Sequence, residues 1–114
     1  MLARINRLKG TRSFDKVKKE GSLFQSKSFA IAVLERKDKE PSRFGFIVSN
    51  KISKRANARN KIKRVLRETV RTNLPKLKAG FDLVFLVKKP ALTKQTKEIR
   101  EEVSLVFKKA NLFR

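Results

Sequence analysis

The chain has 114 residues, and 31 Lys or Arg against ten Asp or Glu give it a formal charge of +21. One small domain over 1–114 fits that length, and a 39% hydrophobic content argues against intrinsic disorder. Cys, His, Tyr and Trp are all absent, which removes disulfides, thiolate and imidazole metal ligands and the usual general bases.

Residues 1–10 are basic and irregular. TRSFDKVKKEG, 11–21, predicts a short helix, with Thr11 or Ser13 as its cap, Phe14 and Val17 on one face and Gly21 at its end. Within 22–37, Phe29, Ile31 and Val33 alternate with the period of a strand, and 37–42 is a polar turn containing Pro41. RFGFIVS, 43–49, is a second strand, so the pair reads as an antiparallel hairpin. A loop, NKISKRAN, leads into a helix over 57–74 that Pro75 closes. FDLVFLV, 81–87, is the continuous apolar run of a buried strand. The last helix, 93–110, is amphipathic through Ile99, Val103, Val106, Phe107 and Ala110. The expected class is α+β, a small α-β sandwich in the order α-β-β-α-β-α with helices on one mostly antiparallel sheet.

Such a charge calls for a polyanion: nucleic acid first, then an anionic membrane surface, then an acidic protein. No segment approaches the roughly 20 apolar residues of a membrane span, and 1–10 has no run of signal-peptide length. A cytoplasmic protein is expected, with no membrane partner and no small-molecule substrate.

Residues 50–71 concentrate the charge, with nine Lys or Arg against Glu68 alone. Successive helical side chains lie about 100° apart. With Arg59 at zero, Ile62, Val65, Leu66, Thr69 and Val70 centre near about 300°. Asn60, Lys63, Arg64, Arg67 and Arg71 spread from about 40° to about 140°, on the opposite side. Charged residues cover the outside of many helices, but usually with mixed sign. Here Lys63–Arg67, Arg64–Arg67 and Arg67–Arg71 are like pairs at helical spacing, each unfavourable by a few tenths of a kcal/mol. The last helix, with Lys94, Lys97, Glu98, Arg100, Glu101 and Glu102, shows an ordinary mixed face in the same chain. The contrast points to nucleic-acid contact. Arg forks grip phosphates, and Asn60 offers an amide to a base edge or a 2′-hydroxyl. Nothing suggests a duplex-reading dimer or zinc motif. Phe81, Phe85 and Phe107 read as core. Among Phe14, Phe24, Phe29, Phe44 and Phe46, one or two could offer a ring to an unpaired base, although packing is the commoner role.

RFGFIVSNKISKRANARNKIKRVLRE, followed by a strand and a final amphipathic helix, resembles the protein subunits of bacterial ribonuclease P. The centre of the match is Arg59 through Arg64, preceded by Gly45 through Lys51; SFDKVKKEG and FDLVFLV match in position. The resemblance implies a parallel βαβ crossover, left-handed, carried by the basic helix between 43–49 and 81–87. It implies two partners, the large catalytic RNA and the 5′ leader of precursor tRNA. Mg²⁺-dependent hydrolysis would belong to the RNA, with no catalytic or metal-binding residue in the chain. Carried over by position, Arg59, Asn60, Lys63, Arg64 and Arg67 match the motif facing the RNA and the substrate junction. Ser49 and Lys51 match the loop before it, and Phe14 resembles the aromatic of the leader cleft. Arg12, Lys18, Lys54, Arg55, Lys61 and Arg71 complete the expected RNA-binding set. Lys61 stands where Arg is frequent, Lys18 where some members carry a second aromatic and Ala32 where some carry Tyr, which shifts leader binding toward charge. The alternatives are a structural ribosomal RNA-binding protein and, more remotely, a protein-only nuclease using Glu98, Glu101, Glu102 or Asp82.

Overall fold

The computed structural model describes residues 2–114. Helix α1 (Thr11–Glu20) is followed by strands β1 (Ser22–Gln25), β2 (Phe29–Glu35) and β3 (Arg43–Ile47). Helix α2 (Ala56–Asn73), strand β4 (Phe81–Val87) and helix α3 (Thr96–Lys109) complete the chain. Neither Thr11 nor Ser13 caps α1. The cap position falls on Gly10 at φ 87°, and no side chain bonds the first turn. Gly21 does end α1, for a steric reason: a Cβ there would lie 2.5 Å from the Val17 carbonyl oxygen and 2.8 Å from that of Val33.

The sheet runs β1-β2-β4-β3, with β2 antiparallel to β1 and β4, and β3 parallel to β4. The expected hairpin of β2 with β3 is therefore wrong, because β4 lies between them. Its apolar residues alternate onto both faces of the sheet, and a central position pairs both of its edges. The 36–42 segment arches over the start of β4 instead of turning a hairpin. Arg36 N–H donates to the Gly80 carbonyl at 2.8 Å, and Gly80 N–H to the Glu40 carbonyl at 2.9 Å. Gly80 sits at φ 86°, and any Cβ would strike the Asp38 carbonyl. The parallel pairing of β3 with β4 is reached through α2, as a parallel connection requires a long crossover. Strand β1 adds an element to the expected order. Its four residues, SLFQ, are too few to display alternation.

Period-two alternation divides the sheet into two faces. Phe29, Ile31, Phe44, Leu83 and Phe85 meet Leu66 and Val70 of α2 and Ile99, Val103 and Phe107 of α3 in the larger core. Ala32 and Val84, on the other face, meet Leu8 and Val17 beneath α1. Each fully buried side chain of this size contributes about 1.5–3 kcal/mol. Helix α3 starts later than the sequence suggested because 89–93 forms a 3₁₀ turn led by Pro90. At its far end Asn111 adopts φ 59°, Asn111 N–H donates to the Lys108 carbonyl and Leu112 N–H to the Phe107 carbonyl. That left-handed exit turns 112–114 back to pair with 76–78.

Candidate nucleic-acid interface

Leu66, Thr69 and Val70 anchor α2 by burial, with Ile62 and Val65 half-buried beside them. Asn60, Arg64, Arg67 and Arg71 are exposed on the opposite side, and Lys63 is partly covered. The helical spacing of the sequence thus becomes a cationic stripe pinned outward by an aliphatic underside. Arg67 is further oriented: its guanidinium carbon lies 5.8 Å from the Phe46 ring centre, and Phe46 stacks on Phe85 at 5.3 Å and 8°.

Not every expected residue joins the stripe. Arg59 is half-buried and donates through Nη1 to the Ser53 carbonyl at 2.7 Å, so it braces the loop ahead of α2. Ser49, Lys51 and Lys54 are exposed on that loop, which turns at Ser49 through the Ile52 N–H. Arg71 Nε donates to both Glu68 oxygens at 3.1 Å. The Arg71 hydrogen bond holds the Glu68 carboxyl below its ordinary range, and Glu68 in turn raises Arg71. The far end of the stripe is therefore internally neutralised. Lys61, about 60° around the axis from Arg64, borders the stripe and, with Arg55, lines a groove on its other side.

Phe14 lies on the other face of the sheet. Its ring rests on Gly45, where a Cβ would come within 2.4 Å, so the glycine makes room for it. Leu34, Ile47 and Leu86 are half-buried against the same small core, an apolar strip that the ten-residue α1 does not fully cover. These three were missed by motif reasoning; period two along β2, β3 and β4 was the signal that could have found them. Lys18, one turn beyond Phe14, is exposed and 3.8 Å from Asp15. Arg12 is exposed about 200° around α1 from Phe14, so the fold does not bring those two together. Phe29 and Phe44 are fully buried, and Phe24 and Phe46 pack against the α2/α3 core.

Three of the four candidate carboxylates hold structure. Asp82, 4% exposed, receives Arg36 Nη1 at 2.9 Å and Arg43 Nε and Nη2 at 2.9 and 2.7 Å. The Asp82 hydrogen bond raises Arg43 against the opposing effect of burial. Glu102 accepts from Ser26 Oγ and Ser28 Oγ at 2.6 Å and from Ser28 N–H at 3.0 Å. Burial opposes its ionisation, yet these bonds together outweigh burial and hold it below the usual carboxylate range. Glu98 accepts the Gln95 N–H in a capping box at the start of α3. Glu101 is exposed, and no three acids converge among the described residues.

The family model described as Ribonuclease P matches residues 2–111. The ribonuclease P protein component of Alkaliphilus oremlandii is 35% identical over 108 residues, covering 95% of this chain and 93% of the relative. That of Cyanothece is 32% identical over 98% of this chain and 97% of its own length. Among solved structures, the Staphylococcus aureus RNase P protein superposes with a TM-score of 0.88 at 28% identity, covering 96% of this chain and 98% of that one. The Thermotoga maritima RNase P protein gives 0.79 at 30% identity, covering 90% and 96%. These matches decide between ribonuclease P and the ribosomal alternative. The chain belongs to the ribonuclease P protein component family, the protein subunits of a tRNA-processing endoribonuclease.

Proposed function

We propose that the α2 stripe, centred on Asn60, Lys63, Arg64 and Arg67, binds the catalytic RNA, with Ser49, Lys51 and Lys54 of the preceding loop beside it. The α1 face, with Phe14 over Gly45 and Lys18 alongside, takes the single-stranded 5′ leader of precursor tRNA. Hydrolysis and its Mg²⁺ belong to the RNA; the engagement of Asp82, Glu98 and Glu102 in structural contacts supports that division. The work is cytoplasmic in this reading. Among the described residues no helix is long and apolar enough to cross a membrane.

The observation that carries the proposal is the outward pinning of the α2 cations. Two RNAs repel each other, and a compact cation between them lowers that cost. Each phosphate neutralised adds a slope of about −0.7 to −0.9 in log K against log salt, so the three stripe cations, Lys63, Arg64 and Arg67, together supply a slope of about −2 to −3. The test is cleavage of a precursor tRNA by the catalytic RNA, alone and with this protein, over salt and Mg²⁺ series. The protein is expected to lower the Mg²⁺ requirement and to extend activity to higher salt. An identical Mg²⁺ requirement with and without protein would refute the proposal.

A further inference from the structure

A groove of about 660 Å³ lies between the first turns of α2 and the segment joining β4 to α3. Its floor is aliphatic, including Ile62, Val65 and Leu92, and its rim carries Arg55, Lys61 and Lys94. No Asp or Glu lines it among the described residues. Lys94, partly covered, lies 3.6 Å from the exposed Glu98, and an ion pair open to solvent on one side holds a lysine only loosely. The bland reading is a crevice where two elements pack imperfectly. Against it stands the combination of features. Leu92 stays 40% exposed under a cationic rim, whereas Ile5, Leu23 and Leu105 are exposed without lining this groove.

Aliphatic side chains beside three cations and the polar groups of Asn57, Gln95 and Thr96 complement a flat base carrying a phosphate. Pockets of about 300–1,000 Å³ hold compact organic ligands, and a single nucleotide falls within that range. The groove also lies on a different flank of α2 from the stripe. Its α2 residues Ile62 and Val65 stand near about 300° and 240° from Arg59 around the helix axis, while Asn60 through Arg71 occupy about 40° to 140°, and Lys61 at about 200° borders both. Two flanks of one helix can therefore grip one RNA, the stripe along its backbone and the groove on a residue turned out of it.

We infer that this groove receives an unpaired nucleotide of the catalytic RNA, its base on Leu92 and Ile62 and its phosphate on Arg55, Lys61 and Lys94. The inference rests on the proposed binding of that RNA. It assigns the nucleotide to the catalytic RNA because the groove adjoins the stripe on the α2/α3 side, whereas Phe14 lies on the opposite face of the sheet.

The absence of cysteine makes any introduced one unique. Thr96→Cys at the groove and Asn60→Cys on the stripe, each carrying a short photo-crosslinker, are assembled as full-length proteins with the catalytic RNA. The groove probe is expected to crosslink to one unpaired nucleotide, and the stripe probe to backbone elsewhere. Crosslinking from Asn60→Cys but not Thr96→Cys, or groove crosslinks to paired residues only, overturns the groove while leaving RNA binding intact. Silence from both overturns the RNA-binding reading with it. Independently, Leu92→Glu is expected to bind the catalytic RNA about tenfold more weakly with an unchanged circular-dichroism spectrum. Equal affinity would overturn the inference.

Discussion

Helices α2 and α3 bury their apolar faces in the same core, Leu66 and Val70 from one, Val103 and Phe107 from the other. Their outer faces differ. α2 carries six Lys or Arg against Glu68, whereas α3 carries four against three acids. The ends differ as well. α3 opens with a capping box and Glu98 in its first turn and closes with Lys108 and Lys109, in accord with the helix dipole. α2 opens with no side-chain cap and no acid in its first turn, and places Arg59 there. A missing cap costs about 1 kcal/mol, and a cation at the positive end a further 0.3–1 kcal/mol or about that. α3 satisfies its own electrostatics. α2 leaves them to a polyanion, and the buried face and loop contacts hold it folded in the meantime.

The strongest way to break this contrast is to neutralise two cations on each helix. Arg64→Ala with Arg67→Ala should weaken binding of the catalytic RNA about a hundredfold, since each charged contact is worth about 1.5 kcal/mol or more. The salt slope should fall by about two. Lys97→Ala with Arg100→Ala on α3 should change affinity less than about threefold, by loss of long-range field alone. Filter binding across a salt series measures both. Equal losses from the two helices would show that total charge, and not its placement on α2, governs binding.

A second measurement asks whether the acids of α3 hold structure. Glu102→Gln removes the charge accepted by Ser26 and Ser28 and should cost about 1–2 kcal/mol in urea unfolding, reduced from a buried value by partial exposure. The sign with pH follows from the folded carboxyl lying below its unfolded value of about 4.3. Its stabilisation is present above that value and is lost as pH falls through the folded one. Wild-type stability should therefore drop more steeply than that of Glu102→Gln on acidification from about pH 5 to about pH 3, and the two curves should converge. Parallel curves would mean the serines do not favour the ionised form.

The two helices also mark how far the sequence could be read. The buried arc of α2, Leu66, Thr69 and Val70, was legible because helical periodicity is local. The bracing role of Arg59 was not, because it depends on where the Ser53 carbonyl comes to rest. Glu102 read as one more charge on a polar face, since its partners stand 74 and 76 residues away. The β2–β3 hairpin was inferred from neighbours in sequence. A later and more apolar strand, β4, displaced that pairing by taking the centre of the sheet. The groove beside α2 is assembled from three segments, Lys61, Leu92 and Ile99 among them, and no single window contains it. Reading by period recovers what one element does alone and misses what two elements do together.

The smallest expected effect is the sharpest probe of the contrast, because it concerns the single acid of α2. Glu68 binds Arg71, and both are solvent-exposed enough that the pair contributes little to folding. If the helix is built to meet an anion, that carboxylate is a local competitor for Arg71 rather than a structural anchor like Glu102. Glu68→Gln should leave the unfolding curve unchanged within error, while releasing Arg71 and removing one repulsive charge beside the RNA. Affinity for the catalytic RNA should then rise about two- to threefold at low salt, with the salt slope steeper by at most about one. A loss of stability comparable to that of Glu102→Gln would instead make Glu68 a structural acid, and the division between the two helices would fail at the one position where they carry the same kind of charge.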